Sequence, residues 1–536
     1  MSGQMRLAGP VVSGAHPALL SRRMHELLLS GLTGSIALLV ALAVTIEMPN
    51  PNPALIFGLI IGALAVVALM VSTRYELTLT IVVLYLGLLD GPVKLLSASQ
   101  YASAIRDVLI FAIVIGMVAR VSVSRERVTM PPLSGWVVLF VCAVLVQAAN
   151  PDTHGILKIL GGFRQQLEWV PFFFFGYMIM RSKQHFRKLF LILGVIALAN
   201  GLVGGYQSRL SPSGLGSWGP GYSARINGTG GTSGRTFEVE GVSRPRPPAL
   251  GSDSGFGGGV GVLALPGLLA LLSIPRLQRR RWVTILLLAG ALAGIATAAS
   301  RSSIVIAVIA LLSYAILSVL GGLKVGRPLI AILAVGVVAV GVASVLISAD
   351  GSSIFHRQET LSSASAESGE AATKVAHFSQ LPTDIAGAPF GIGLGTGGSA
   401  GGFGGKQEKV KIEGSGPSGE GAFNLVVLET GALGLLLWVG LTISVILLAV
   451  RKLRLIADVE MRTYLVAIFA AFLAFTADGF AGPTLAVAPA GTFLWFAAGV
   501  AAYWFAGPGL AAQRSKAAAD PGMIAGGPRI IATGAG

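Results

Sequence analysis

An all-α bundle of about 14 membrane-spanning helices is the fold the sequence predicts, and three observations predict it. First, the 536 residues are 53% hydrophobic and only 12% charged, with a mean hydropathy of +0.76. Soluble globular domains carry about 25% charged residues, so this chain has half the charge that a water-facing surface uses. Second, the apolar residues are gathered into blocks such as Gly31 to Ile46, Trp282 to Ala298 and Phe423 to Val450. Each is near the roughly 20 residues that cross a bilayer core. Third, the 72 glycines suit helices that pack backbone to backbone within a membrane.

Taken in order, the spans fall at about 27–46, 54–72, 77–90, 106–119, 133–149, 167–180, 188–206, 256–273, 282–298, 302–320, 328–348, 424–450, 463–480 and 484–505. Arg22 and Arg23 precede the first, and Ala41 and Ala43 imitate a signal-peptidase site. That run is longer than a signal h-region and many spans follow, so it reads as an uncleaved first helix. The fourth span starts beside the charged pair Arg106 and Asp107. The organisation is therefore a cytoplasmic tail 1–26, seven spans in 27–206, an extracytoplasmic Gly/Ser/Pro-rich loop 207–255 and four spans in 256–348. A large extracytoplasmic loop 349–422, three spans in 423–505 and a cytoplasmic tail 506–536 complete it.

Orientation follows from the cations. With the N-terminus inside, 24 of the 39 Lys and Arg but only 6 of the 24 Asp and Glu fall on inner segments. The formal net charge of +15 is then an orientation signal and not a nucleic-acid footprint. Cys142 is the only cysteine, which excludes an intramolecular disulfide.

The two long outer segments are rich in Gly, Ser and Pro. Loops of that length inside a compact protein are more often functional than spacers. In the second, Val375, Phe378, Leu381 and Ile385 recur at helical spacing, predicting a short amphipathic helix over Ala371 to Ile385.

The polar residues gather at the outer ends of the spans. Arg301, in the short turn Ala299-Ser300-Arg301-Ser302-Ser303, is either a helix-end arginine reaching the headgroups or a cation held for a phosphate-bearing ligand. Arg164 reads as an interfacial residue partnered by Glu168 beside the aromatic-belt residue Trp169. Arg244 and Arg246 read as solvated loop charges; Arg357, next to His356, falls between these cases. Glu420 and Glu429 flank the entry to the span beginning at Ala422, with Glu429 about two turns inside it. An ionisable group at that depth is a functional candidate, and pairing with a neighbouring helix is the plain alternative. Asp478, at the outer end of the next span, has the same standing. Glycines 393, 395 and 398 fit GxGxxG but lack the βαβ context of a dinucleotide fingerprint. No HExxH, Walker sequence or convincing metal-ligand spacing occurs, so no metal is expected.

Four stretches, in this order, resemble the O-antigen ligase/polymerase superfamily of bacterial envelope glycosyltransferases. GGFRQQLEWVPFFFFGYMIMRSKQHFRKL is similar to the arginine-bearing helix and basic inner loop of its exopolysaccharide polymerase branch. TAASRSSIVIAVIALLSYAIL is similar to the family's Ser-Arg and following apolar helix. PFGIGLGTGG looks like its Pro-x-Gly-x-Gly-x-Gly element late in the large outer loop. EGAFNLVVLETGALGLLLW looks like the next span, with its Asn (here Asn424), Glu and Gly-x-x-Gly. The resemblance covers about Gly161 to the last span. One departure stands out: many ligases have His-Asn at the head of that helix, and here the pair is Phe423-Asn424. A histidine base at that position is excluded, and Glu420 takes its place in the reading.

The resemblance implies a multi-pass protein of the bacterial inner membrane that polymerises or ligates glycan units carried on a polyprenyl diphosphate. Arg164, Arg301, Arg357 and Arg244 would hold the diphosphate, and a carboxylate, Glu420, would take the acceptor's proton. No cofactor and no metal is implied. The partners are the lipid-linked donor, a glycan acceptor, the bilayer and other polysaccharide assembly or export proteins. Glu429, Asn424, Asp478 and His356 are the further candidates. A transporter or flippase for a glycolipid or polysaccharide is the alternative, for which repeats and broken helices at the midplane would be the signature. The sequence shows no convincing internal repeat.

Overall fold

The computed structural model describes residues 67, 68, 72, 74–97, 102–124, 130–153, 155–228, 235–239, 242–274, 281–324, 332, 335–342, 370–398, 400, 421–480 and 482–519. The expected spans 27–46 and most of 54–72 and 328–348 lie outside them. The chain divides into two compact units, 1–78 with 108–129, and 79–107 with 130–536.

The described helices are α1 (Tyr75–Ser97), α2 (Ala102–Ser124), α3 (Ser134–Val146), α4 (Ile156–Leu167), α5 (Pro171–Ile179) and α6 (Lys183–Gln207). Two short helices follow, α7 (Pro212–Gly216) and α8 (Pro220–Asn227), and then an antiparallel hairpin of β1 (Thr236–Val239) and β2 (Val242–Pro245). The rest are α9 (Phe256–Ser273), α10 (Arg281–Thr297), α11 (Arg301–Leu320), α12 (Glu370–Gly387), α13 (Ala422–Lys452), α14 (Val459–Asp478), α15 (Ala490–Ala506) and α16 (Pro508–Ala519). Among the described residues seven helices are long and apolar enough to cross a membrane. The fold is a helical membrane bundle, and among the described residues one hairpin departs from all-α.

Two differences from the sequence reading have local causes. The expected span 167–180 is broken: Pro171 has no N–H to give the Leu167 carbonyl, and the backbone tightens there, with Val170 N–H bonding Leu167 O at 3.1 Å. The described residues of 207–255 are folded, because Leu215, Tyr222 and Ile226 bury themselves against Leu95 of α1. Buried amides of α6 pin its far end. Gln207 exchanges two hydrogen bonds with the Ala249 backbone, and Asn200 accepts from Leu250 N–H and donates to Gly87 O. Gly87 lies in a π-helical turn of α1. In the second long segment, α12 covers the helix expected over Ala371 to Ile385.

Helices α9 to α11 and α13 to α15 alternate in direction. Gly257 and Gly261 of α9 pack on Gly294 and Ala291 of α10, and small residues allow this close approach. At one end Lys183 pairs with Asp458 at 2.6 Å, Arg187 reaches Glu460 and Tyr464, and Arg462 donates to Gly321 O. The sequence-derived alternation requires these segments at one end. Asp458 also caps α14, accepting from Glu460 and Met461 N–H. Partial burial pushes its carboxyl up, but the Lys183 ammonium and the two backbone donors outweigh this and hold it below its ordinary value.

Helices α5 and α15 meet through Gly176 and Gly499. A Cβ on Gly176 would lie 2.1 Å from Phe496 O, and one on Gly499 would lie 1.9 Å from Phe173 O. Both contacts are to backbone, which cannot rotate away. Gly499→Ala is expected to destabilise the protein by about 1–3 kcal/mol, read as a lowered unfolding midpoint in detergent. Gly135→Ala, at a position with nothing nearby, is the control.

Candidate functional site

At the end of the bundle opposite Asp458, the ends of three helices bring six charged side chains together. Asp90 and Lys94 come from α1, Arg106 and Asp107 from α2, and Arg164 and Glu168 from α4 and the turn after it. Arg106 is the centre. It makes a two-pronged pair with Glu168, one bond being Nη2 to Oε2 at 2.6 Å. It also lies 3.7 Å from both Asp90 and Asp107. Asp90 pairs in turn with Lys94 at 2.6 Å, and Arg164 Nε pairs with Asp107 at 2.9 Å. The Arg106 guanidinium stands 4.8 Å over the Trp169 ring, a cation–π contact. Glu168 is 2% exposed and Arg106 12%. Charges this far from water persist only when paired.

Arg164 therefore has the Glu168 partner read from the sequence, at 4.0 Å, but its tighter bond is to Asp107. Trp169 is not a belt residue, because it is fully buried beneath Arg106. Sequence reasoning missed Asp90, Lys94 and the central role of Arg106. The available signal was opposite charges at i,i+4 spacing at the ends of two apolar runs.

An apolar cavity adjoins this cluster, lined by Leu86, Gly87, Phe172, Leu193, Val260 and Phe493 among others. Gly87 is three residues before Asp90 on α1, and Phe172 is four residues after Glu168. The cavity thus ends within about one helical turn of the charges.

The second constellation surrounds Glu429. Helix α13 is interrupted at Gly431, whose backbone (φ 71°, ψ −171°) is not helical. The break separates Leu428 O from its helical donor, Ala432 N–H. The glycine-rich loop after α12 supplies the substitutes: Ile392 N–H donates to Leu428 O at 2.7 Å, and Ala432 N–H donates to Pro389 O at 2.9 Å. Glu429, wholly buried, fastens the loop. Its Oε1 accepts from Gln165 Nε2 (3.1 Å) and Gly395 N–H (3.0 Å), and its Oε2 from Gln166 Nε2 (2.7 Å). Gly395, at φ 70°, lies so close to α4 that a Cβ would sit 2.3 Å from Lys158 O. The GxGxxG match is thus a packing loop, whose Leu394 and Gly395 N–H groups go to Thr153 and Glu429.

Of the remaining candidates, Asn424 and Asp478 lie at neighbouring helix ends, since Ala422 N–H at the head of α13 donates to Gly479 O at 3.0 Å. Asn424 donates to Asp384 of α12 at 2.7 Å, and both are buried. Arg301 opens α11 behind Ser300, whose hydroxyl meets that of Ser302 at 2.8 Å. Asp478 ends α14, and its carbonyl accepts from Gly482 N–H. Arg244 lies on β2 opposite Phe237. Glu420, His356 and Arg357 lie outside the described residues. Neither Arg164 nor Arg301 lines the apolar cavity. Among the described residues no three His, Cys, Asp or Glu side chains are grouped to hold a metal ion. Comparison with known proteins found no matching family model, no matching curated protein and no matching solved structure.

Proposed function

We propose that this protein is a membrane glycosyltransferase that polymerises or ligates glycan units carried on a polyprenyl diphosphate, working at the outer face of the plasma membrane. One observation carries the reading: the charged cluster around Arg106 and Arg164 lies a helical turn from an apolar cavity between spans. An amphiphile needs that pairing of environments, an apolar slot for its chain beside cations for its head. The diphosphate competes with Asp107 and Glu168 for the two guanidiniums, whose planar forks fit phosphate oxygens. Arg301, Arg357 and Arg244 are further diphosphate ligands in this reading. In the reaction the acceptor hydroxyl oxygen bonds the anomeric carbon while the bond to the diphosphate breaks. Guanidiniums stabilise the charge that gathers on the leaving diphosphate. Glu420 takes the hydroxyl proton, a contribution of about 10²–10⁴-fold.

A transporter is favoured by one observation, the interruption of α13 beside the buried Glu429. The loop bonds that fill the break account for it without a transported ligand.

Removal of the protein tests the reading through the cell's lipid-linked glycans. Accumulation of single repeat units is expected for a polymerase, and of long lipid-linked chains for a ligase. An unchanged outer-leaflet pool, or accumulation in the inner leaflet, overturns it in favour of transport. The orientation is checked separately, with Thr373→Cys placed in a Cys142→Ala background. A membrane-impermeant maleimide added to intact spheroplasts should label it.

A further inference from the structure

Helix α11 stops at a glycine in the left-handed region, Gly322 at φ 69°. Gly322 N–H donates to Val319 O and Leu323 N–H to Ser318 O, each at 2.9 Å. That pairing satisfies two of the carbonyls a helix leaves open at its C-terminus. The next two are taken by arginines from the connection between α13 and α14. Arg454 Nε donates to Leu320 O, and Arg462 Nη1 donates to Gly321 O at 2.8 Å. Cations suit this end of a helix, where the macrodipole is negative.

The two arginines do different things. Arg462 is fully engaged, since its Nε and Nη2 both donate to Ile456 O while Nη1 reaches Gly321 O. It fastens the connection to the end of α11. Arg454 is exposed, and among the described residues Leu320 O is its one hydrogen-bond partner, met through Nε. Both Nη groups are left to grip an anion, on a guanidinium whose position is already fixed. Lys324, four residues beyond Leu320, and Arg451, three before Arg454, are exposed as well.

The acids nearby in sequence are already matched. Asp458 pairs with Lys183 at 2.6 Å, and Glu460 pairs with Arg187. Segments 321–331 and 451–462 together carry six Lys and Arg against these two acids. Apolar side chains flank the cations: Val319 at the end of α11, Val450 at the end of α13 and Leu455 in the connection are all exposed. Cations beside exposed apolar side chains, at the ends of spanning helices, mark the level where hydrocarbon gives way to headgroups. A soluble anion gains nothing from that apolar surface, whereas a phospholipid uses both parts.

We propose that Lys324, Arg451 and Arg454 form a binding site for the headgroup phosphate of an anionic phospholipid, with Arg462 holding the connection in place. The acyl chains lie against the exposed apolar ends of α11 and α13. The site is independent of the glycosyltransferase reading. The orientation expected from the cations enters only in naming the leaflet, which is the inner one.

Native mass spectrometry of the full-length protein, released from detergent with equimolar phosphatidylglycerol and phosphatidylcholine, tests this. Phosphatidylglycerol adducts are expected to outnumber phosphatidylcholine adducts at least fivefold. Lys324→Gln combined with Arg454→Gln should cut that ratio at least threefold. Because Arg454 also caps α11, Lys324→Gln is made alone as well. Lys324 has no hydrogen bond or ion pair among the described residues, so this variant should keep the unfolding midpoint and still lower the ratio about twofold. Arg281→Gln removes an equal charge from α10 at the same end of the bundle and should leave the ratio unchanged. Excess sn-glycerol 3-phosphate, which has no acyl chains, should not displace phosphatidylglycerol. Equal adducts of the two lipids overturn the proposal. So does a ratio lowered as much by Arg281→Gln as by the double variant, which marks only the general basic field of that end. Displacement by sn-glycerol 3-phosphate overturns it too, marking a site for soluble phosphate.

Discussion

Glu168→Ala is expected to cost about 3–5 kcal/mol of stability, the range for stripping one partner from a buried ion pair. The reason is what it leaves behind. Arg106, 12% exposed, loses its two-pronged partner and keeps only Asp90 and Asp107, each at 3.7 Å. The measurement is the unfolding midpoint in detergent. Combining Glu168→Ala with Arg106→Met should recover part of the loss, because the uncompensated cation is then gone. Equal melting of Glu168→Ala and the wild type would mean that water reaches this cluster freely.

Glu429→Leu is the second large effect. It leaves three buried donors, Gln165 Nε2, Gln166 Nε2 and Gly395 N–H, without their shared acceptor. Unsatisfied buried groups cost about 1–3 kcal/mol each. Gln165 keeps Gly397 O as a second acceptor, so the expected total is about 2–5 kcal/mol. Glu429→Gln should cost less, since one carboxamide oxygen still accepts while its NH₂ confronts a donor. Limited proteolysis separates local from global effects: the leucine variant should be cut near residues 389–400 before the rest of the chain opens.

What the sequence disclosed depended on whether the signal was local. The alternation of α9–α11 and α13–α15 was legible because basic residues mark one end of each span. Helix α12 was legible because Val375, Phe378, Leu381 and Ile385 repeat at its own period. Glu429 was conspicuous as a carboxylate inside an apolar run. Its partners were not, because Gln165 and Gln166 carry no charge and lie more than 260 residues earlier. Folding of the described part of 207–255 was hidden for a similar reason: among so many Gly, Ser and Pro residues, Leu215, Tyr222 and Ile226 look incidental until Leu95 joins them. The charged cluster is a third case. Asp90–Lys94 and Arg164–Glu168 each look like an ordinary surface pair, and only the fold brings Arg106 between them.

The mended break in α13 also decides which changes the glycine-rich loop tolerates. The splice uses only main-chain atoms, Pro389 O and Ile392 N–H on the loop against Ala432 N–H and Leu428 O on the helix. Phe390 between them is 84% exposed, so its side chain takes no part. The loop is thus permissive in spelling and strict in length. Phe390→Ser should pass unnoticed, whereas removing one residue between Pro389 and Ile392 shifts one contact out of step with the other and leaves a peptide group of the helix stranded in an apolar interior.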